Sequence, residues 1–299
     1  HKLADEYWNK AQELGKQGKY LEAAKMFEKS AQAEKASPSP RMQALTAQLN
    51  QAGYYYTLVG QYDKAIKYYE EALAIDKRLG REDGVALCLN NIGDVYYSWG
   101  QYDKAIKCFK EALAIAEKLG LEDGVATSLS NIGNVYLSWG QYDKAIKYYE
   151  EALAIARKLG QEADVAIRLN NIGGVYYFWG KYDKAIKYFE EALDTFKKLG
   201  MEGSVAAVFG NIGEAYYLQG EYKTAIKFLM DSISIKEELR KTATGDIRRD
   251  YLASQLGTYQ WLTSAYIRDS NFPSAFQTVE LSRAKLLAER LASDESEVR

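Results

Sequence analysis

The sequence predicts an all-α fold, a solenoid of about seven antiparallel helix pairs. Three observations predict it. The stretch Asn91–Leu119, NIGDVYYSWGQYDKAIKCFKEALAIAEKL, returns at Asn131–Leu159 and Asn171–Leu199, and more loosely at Gln51–Leu79 and Asn211–Leu239, always 40 residues on. Each copy holds two amphipathic runs. A glycine closes each run, Gly100 the first and Gly120 the second. Such copies stack neighbour on neighbour and need no central core.

Within one copy, Leu89, Ile92, Gly93 and Tyr96 fall at the i, i+3, i+4, i+7 spacing of one helix face, which defines helix A. Gly100 then breaks the chain, and Asp103 is expected as the N-cap of helix B. Helix B turns Ala105, Ile106, Phe109, Ala112, Leu113 and Ala116 inward. Lys104, Lys107, Lys110 and Glu111 mostly face water. Lys118 supplies a cation to the last turn and Gly120 the left-handed stop. Gly53, Gly93, Gly133, Gly173 and Gly213 sit midway along helix A, where glycine costs about 1 kcal/mol relative to alanine. That cost is tolerable where another backbone approaches. The expected partners are the small residues Ala65, Ala105, Ala145, Ala185 and Ala225, with Tyr56, Tyr96, Tyr136, Tyr176 and Tyr216 supplying bulk above them.

Taken in order, residues 1–299 form a single array. Residues 4–36 are a divergent first helix pair, and Ser37-Pro38-Ser39-Pro40 is a linker. Five 40-residue repeats cover 41–240, the fifth carrying Lys223 where the others have Asp. Lys241-Thr242-Ala243-Thr244-Gly245 reads as a loop. A final, longer helix pair spans 246–292, with Pro273 in the first turn of its second helix. Residues 293–299 are a polar tail. The chain opens on His1-Lys2 without Met and reads as an excised or processed piece.

The pattern L/I-G-x-x-Y…G-x-Y-x-x-A-x-x-x-Y/F-x-x-A-L resembles the tetratricopeptide repeat (TPR), in a form about six residues longer than the usual 34-residue unit. Similar long repeats occur in kinesin-light-chain-like and cell-polarity adaptor proteins. The resemblance implies a right-handed superhelix whose A helices line a concave, ligand-binding face. A narrower resemblance lies at the end. AFQTVELSRAKLLAERLA, preceded by RRDYLASQLGTYQ, is similar to the close of the array in bacterial TPR–CHAT proteins, where a caspase-like peptidase domain follows. That resemblance implies a regulatory array with its catalytic domain beyond Arg299.

The residue inventory argues against chemistry within the chain. Its sole histidine is His1, at a terminus, which removes histidine-assisted nucleophiles and histidine-rich metal sites. Cys88 and Cys108 are not a CxxC pair and read as small apolar fillers in a reducing compartment. Glycine-rich phosphate loops are absent, and Glu70-Glu71, Glu150-Glu151 and Glu190-Glu191 read as a solvated face beside lysines. We therefore expect no enzyme, no cofactor and no metal site. A formal net charge of −2 gives no reason to expect nucleic acid or an anionic membrane as partner. No apolar run approaches the roughly 20 residues of a membrane span. A cytoplasmic location is expected.

The expected partner is a protein or peptide in the concave groove, with contact to a missing C-terminal domain as a further expectation. Helix A residues flanking each glycine are the candidates: Asn50, Tyr54, Asn90, Asp94, Tyr97, Asn134, Asn170, Tyr177, Glu214 and Tyr217, with Ser138 and Phe178 beside them. The residue before each Ile-Gly adds Asn91, Asn131, Asn171 and Asn211. Two readings of this Asn ladder stand side by side. The amides grip the backbone of an extended peptide, or they bond neighbouring repeats to one another. Tyrosines suit an interface because a large ring carries a polar tip. Trp99, Trp139 and Trp179 recur with the scaffold period and read as packing between repeats. Lysine and arginine are missing from the groove positions, so acidic chaperone tails are disfavoured and a neutral-to-basic segment fits better.

Overall fold

The computed structural model describes residues 1–242 and 245–297, with side chains described for 1–241 and 255–287. The described residues form fourteen α-helices and no strand. They pair as α1 (Lys2–Lys16) with α2 (Tyr20–Lys35), α3 (Met42–Leu58) with α4 (Tyr62–Arg78), and α5 (Glu82–Ser98) with α6 (Tyr102–Leu119). Next come α7 (Glu122–Ser138) with α8 (Tyr142–Lys158), α9 (Glu162–Phe178) with α10 (Tyr182–Lys198), and α11 (Glu202–Gln219) with α12 (Tyr222–Thr242). The last pair is α13 (Gly245–Arg268) and α14 (Phe272–Glu297).

The chain divides into two compact units, His1–Ile155 and Ala156–Arg299. In the first, α3 touches α5 and α5 touches α7. In the second, α9 touches α11 and α11 touches α13. The odd-numbered A helices of each unit therefore stand side by side as a row, with the B helices behind them.

Three local expectations are corrected. Asp103 is not the N-cap of α6. Gly100 has φ 75° and turns the chain so that Gln101 becomes the cap, its carbonyl accepting the Ala105 N–H at 3.0 Å. Asp103 sits in the first turn, as do Asp63, Asp143 and Asp183 in their helices, where a carboxylate meets the positive end of the helix. The loop read at 241–245 shrinks: Lys241 and Thr242 finish α12, Gly245 opens α13, and Ala243 and Thr244 lie outside the described residues. The polar tail read at 293–299 is helical as far as Glu297, because no Gly or Pro follows Pro273 to stop α14; Val298 and Arg299 lie outside the described residues.

The glycine contact differs from the expected one in its partner. Ala65, Ala105, Ala145, Ala185 and Ala225 are wholly buried, yet the group lying across each glycine comes from four residues further along helix B. A Cβ built on Gly93 would stand 2.6 Å from the Phe109 ring, and one on Gly53 would stand 2.8 Å from the Tyr69 ring. On Gly133 it would meet Tyr149 at 3.1 Å, on Gly173 Phe189 at 2.6 Å, and on Gly213 Leu229 at 2.7 Å. At Gly173 the Ala185 carbonyl adds a contact at 3.2 Å. The small residue is needed because a large side chain, a ring in four of the five copies, fills the space more than a backbone does.

Above this contact the helix A tyrosines stack on helix B rings: Tyr56 on Tyr68 at 5.6 Å, Tyr136 on Tyr148 at 5.5 Å and Tyr176 on Tyr188 at 5.4 Å. Lys64, Lys104, Lys144 and Lys184 lie 5.0, 5.2, 5.2 and 5.3 Å from the ring centres of Tyr56, Tyr96, Tyr136 and Tyr176. Each such contact is worth about 0.5–1 kcal/mol at an exposed site.

Junctions between repeats use a second set of side chains. Ile66 packs against Ile92 and Val95, and Leu73 joins Val85 and Leu89. Tyr62 and Trp99 lie 5.7 Å apart, and Tyr102 and Trp139 lie 5.9 Å apart, so these tryptophans join one repeat to the next. Two buried acids end the first two B helices. Glu34 takes the Arg41 backbone N–H at 2.7 Å and its guanidinium at 2.8 Å, and Asp76 is bonded by Arg81. Arg41 holds the Glu34 carboxyl below its ordinary range. Cys88 is buried, Cys108 half-buried, and both are free thiols.

Adjacent glycines in α9 give opposite expectations. Gly173→Ala forces its methyl into Phe189 and should destabilise the chain by about 1–3 kcal/mol. Gly174 has open space around its Cβ position, so Gly174→Ala should stabilise by about 0.5–1 kcal/mol through helix propensity. Urea unfolding of the two variants checks the pair. Equal shifts in one direction would show that ring packing does not select the glycine.

Candidate binding site

The residue after each helix A glycine occupies one recurring position on helix A. That register holds Tyr54, Asp94 and Asn134 in the first unit, and Gly174 and Glu214 in the second. In the first unit Tyr54 is half exposed. Asp94 is exposed at the surface, and desolvation by the protein around it pushes its pKa up to about 6. No ion pair to Asp94 occurs among the described residues. The Tyr69 hydroxyl passes beneath Gly53 to reach Thr57, close to both Tyr54 and Asp94. Two repeats later, the Tyr149 hydroxyl donates to Asn134 Oδ1. Helix B thus delivers hydroxyls to the A-helix row wherever the ring across the glycine is Tyr and not Phe.

The other candidates of the first unit bridge repeats. Asn91 Nδ2 donates to Asn50 Oδ1 at 3.5 Å, and the Ser128 hydroxyl donates to Asn90 Oδ1 at 3.4 Å. Tyr97 and Ser138 share a hydrogen bond of 2.8 Å between their hydroxyls. Asn131 is half-buried at the same register as Asn91.

In the second unit Asn211 Nδ2 donates to Asn170 Oδ1 at 3.2 Å, repeating the Asn91–Asn50 rung, while Asn171 is half-buried. Two rungs of the Asn ladder therefore bond neighbouring repeats. Tyr177 donates to Glu214 Oε2 at 3.2 Å. Burial pushes the Glu214 carboxyl up, opposed by that hydrogen bond and by nearby Lys236. Burial lowers Lys236 in turn, and its ammonium donates to Thr258 Oγ1 at 2.9 Å. Tyr217 meets the Trp261 ring edge-on at 5.2 Å, and Arg268 lies beside its hydroxyl. The two acids of this register thus differ: Glu214 accepts a hydroxyl hydrogen bond and lies near a lysine, whereas Asp94 has no ion pair or hydrogen bond among the described residues.

Sequence reasoning missed Tyr69, Tyr149, Lys236 and Trp261. The first two are legible in retrospect, sixteen residues after each glycine. Lys236 and Trp261 belong to the stretch where the period slips, and no repeat position announces them.

The chain matches the tetratricopeptide repeat model over residues 6–78, 43–118, 85–158, 124–198 and 164–238. Among solved structures it is similar to BtubC from P. vanneervenii, with 25% identity over 77% of this chain and 92% of that one, at a TM-score of 0.67. It is also similar to a STAND-class signal transduction ATPase with a tetratricopeptide repeat sensor from Pyrococcus horikoshii. That likeness has 18% identity and a TM-score of 0.69, and covers 97% of this chain and 43% of that one. A third is the Rap conjugation gene regulator of plasmid pLS20, solved with the Phr* peptide: 17% identity, 93% of this chain, 74% of that one, TM-score 0.59. No curated protein matches the chain.

Asp94 gives a stability prediction with a definite sign. An acid whose folded pKa lies above its ordinary value of 3.8 favours the folded state while protonated. That contribution is complete below pH 3.8, fades as pH rises to about 6, and is absent above it. Asp94→Asn should therefore raise the melting temperature at pH 7 and flatten its pH dependence between about 4 and 6. Melting curves across that range check it; a lower melting temperature at pH 7 would mean that the carboxylate is stabilising.

Proposed function

This chain belongs to the tetratricopeptide repeat family, and on that footing we propose that it is a non-catalytic binding scaffold. Its A-helix row in the first unit takes a neutral-to-basic peptide segment. One observation carries the reading: the exposed Asp94 carboxylate has no ion pair among the described residues, while the protein around it already removes part of its hydration. A lysine, arginine or terminal amine placed there completes an ion pair whose desolvation is partly met in advance. Tyr54 offers an aromatic face beside it, and Asn134 and Tyr97 offer hydrogen-bonding groups along the row. The peptide bound by the pLS20 Rap regulator supports peptide recognition as a use of this fold.

The array acts as the sensor or regulatory part of a larger protein. The closing segment AFQTVELSRAKLLAERLA supports a CHAT-type peptidase as the part regulated, and the repeat sensor of the Pyrococcus ATPase supports the architecture. A second reading, a free-standing adaptor that assembles a multiprotein complex, draws on BtubC, whose chain is matched over 92% of its length. A His and Cys encoded downstream in the parent reading frame separates the first reading from the second.

Titration of the full chain with short synthetic peptides, alike except for a central Lys, Gln or Glu, tests the site. The Lys peptide should bind most tightly. Its affinity should rise as pH passes upward through about 6 and fall by about tenfold in Asp94→Asn. Tighter binding of the Glu peptide, or binding indifferent to Asp94, would sink the proposal.

A further inference from the structure

The last helix pair departs from the repeat pattern at positions that meet in one place. Ser270-Asn271-Phe272 aligns with Gly220-Glu221-Tyr222, and Ser270 takes the left-handed turn (φ 60°) that glycine takes elsewhere. In this register Tyr266 is the helix A tyrosine, equivalent to Tyr216. Four earlier pairs stack a helix B ring on that tyrosine: Tyr68, Tyr148, Tyr188 and Phe228, at 5.6, 5.5, 5.4 and 5.6 Å. On α14 the ring position holds Thr278, whose hydroxyl turns back to the Ser274 carbonyl at 2.7 Å. The other repeat without a ring there has Cys108, which packs with Tyr96 on the core around Ile92 and Val95.

The surroundings of the missing ring change with it. Ser274 stands where Lys64, Lys104, Lys144 and Lys184 lie over the helix A tyrosines. Leu281 stands where Glu71, Glu111, Glu151, Glu191 and Asp231 do. On the preceding B helix, Met230 stands where Glu28, Glu70, Lys110, Glu150 and Glu190 do. At the first junction the Tyr56 hydroxyl donates to Glu28 at 2.6 Å, whereas the Tyr266 hydroxyl meets the Met230 sulfur at 3.3 Å. A ring and its charged neighbours are thus exchanged for small and apolar side chains.

The result is an open cleft of about 250 Å³ between α12, α13 and α14. Ile233 and Leu262 are buried in its lining, and Met230 and Leu281 are exposed at its mouth. A dry cavity of about 150 Å³ already takes benzene. This face is not the open end of the array. The positions of Ser274 and Gln277 hold Lys64 and Lys67 on α4, both exposed although α5 follows, so a further repeat of the same kind would leave the cleft uncovered. Its apolar surface is also short. Ser234 and Gln277 bound it, and Lys227 and Glu238, one turn to either side on α12, are exposed. A protein interface needs roughly 800 Å² on each partner, and one ring needs far less.

We propose that this cleft binds a small aromatic molecule of phenol or indole size, stacked on Tyr266. The ligand ring takes the place that Tyr68, Tyr148, Tyr188 and Phe228 fill in their own repeats. Met230 sets a polarizable sulfur against it, and Ser234 and Gln277 offer hydrogen bonds to a polar substituent. The site is built from α12, α13 and α14 alone and does not rest on the peptide reading.

Saturation-transfer NMR of the full chain with indole, phenol and cyclohexanol tests it. Indole and phenol should bind saturably, and cyclohexanol, which cannot stack, more weakly. Thr278→Tyr restores the ring of the other repeats. It should weaken both aromatics at least about tenfold and raise the melting temperature, because the vacancy is filled. If that variant fails to fold, Met230→Glu, which restores the acid of earlier repeats at an exposed position, takes its place and should weaken binding in the same way. No saturable binding of either aromatic overturns the proposal. So does cyclohexanol binding as tightly as phenol, or aromatic binding that the folded variant leaves unchanged.

Discussion

The structure depends on one recurring contact: a large side chain from helix B, a ring in four of the five repeats, laid across a glycine of helix A. With a methyl group 2.6–2.8 Å from ring carbons, as at Gly53, Gly93 and Gly173, the two helices could not close to this distance. The loss in helix propensity, about 1 kcal/mol per glycine, is offset by burying a whole ring. Because the contact returns every 40 residues, a small error in helix spacing would be repeated down the array. Tight packing at each copy keeps every pair alike, and alike pairs can stack.

The same contact reaches the candidate site. A Phe at the crossing position ends in the core, whereas Tyr69 and Tyr149 carry a hydroxyl through to the A-helix row, beside Asp94 and at Asn134. At these two positions core packing and surface chemistry are joined in one side chain. The glycine register acts alongside it. The residue after the glycine varies as Tyr54, Asp94 and Asn134 in the first unit and as Gly174 and Glu214 in the second, while the scaffold contact recurs. Repeat proteins can change specificity in this way without disturbing stability, because each variable side chain touches only near neighbours.

Charge is distributed by the same local rule. Buried acids at the first two junctions, Glu34 and Asp76, have arginines within bonding distance, since an unpaired buried carboxylate costs several kcal/mol. Glu214 is eased by Tyr177 and Lys236. Asp94 is the contrast: exposed, partly desolvated by the protein around it, and without an ion pair among the described residues. Acids left this way are expected at functional sites more often than in scaffolding.

By itself the sequence determined the helices, their order and their pairing. The period, the apolar spacing and the glycines act over a few residues, and local sterics suffice to place Gly100 and Gly120 in left-handed stops. It also brought the A-helix candidates to notice, because they share one register. Only the tertiary structure decided which residue fills the space at each glycine, since Ala185 and Phe189 lie one turn apart and both point inward. It decided that Asn91 and Asn211 reach back to Asn50 and Asn170, that Tyr177 is bound to Glu214, and that Asp94 has no ion pair among the described residues. The physical reason is range. Helix formation is settled between residues three and four apart. The state of a polar group is settled by whatever neighbour arrives from about 40 residues away, and no local pattern records that arrival.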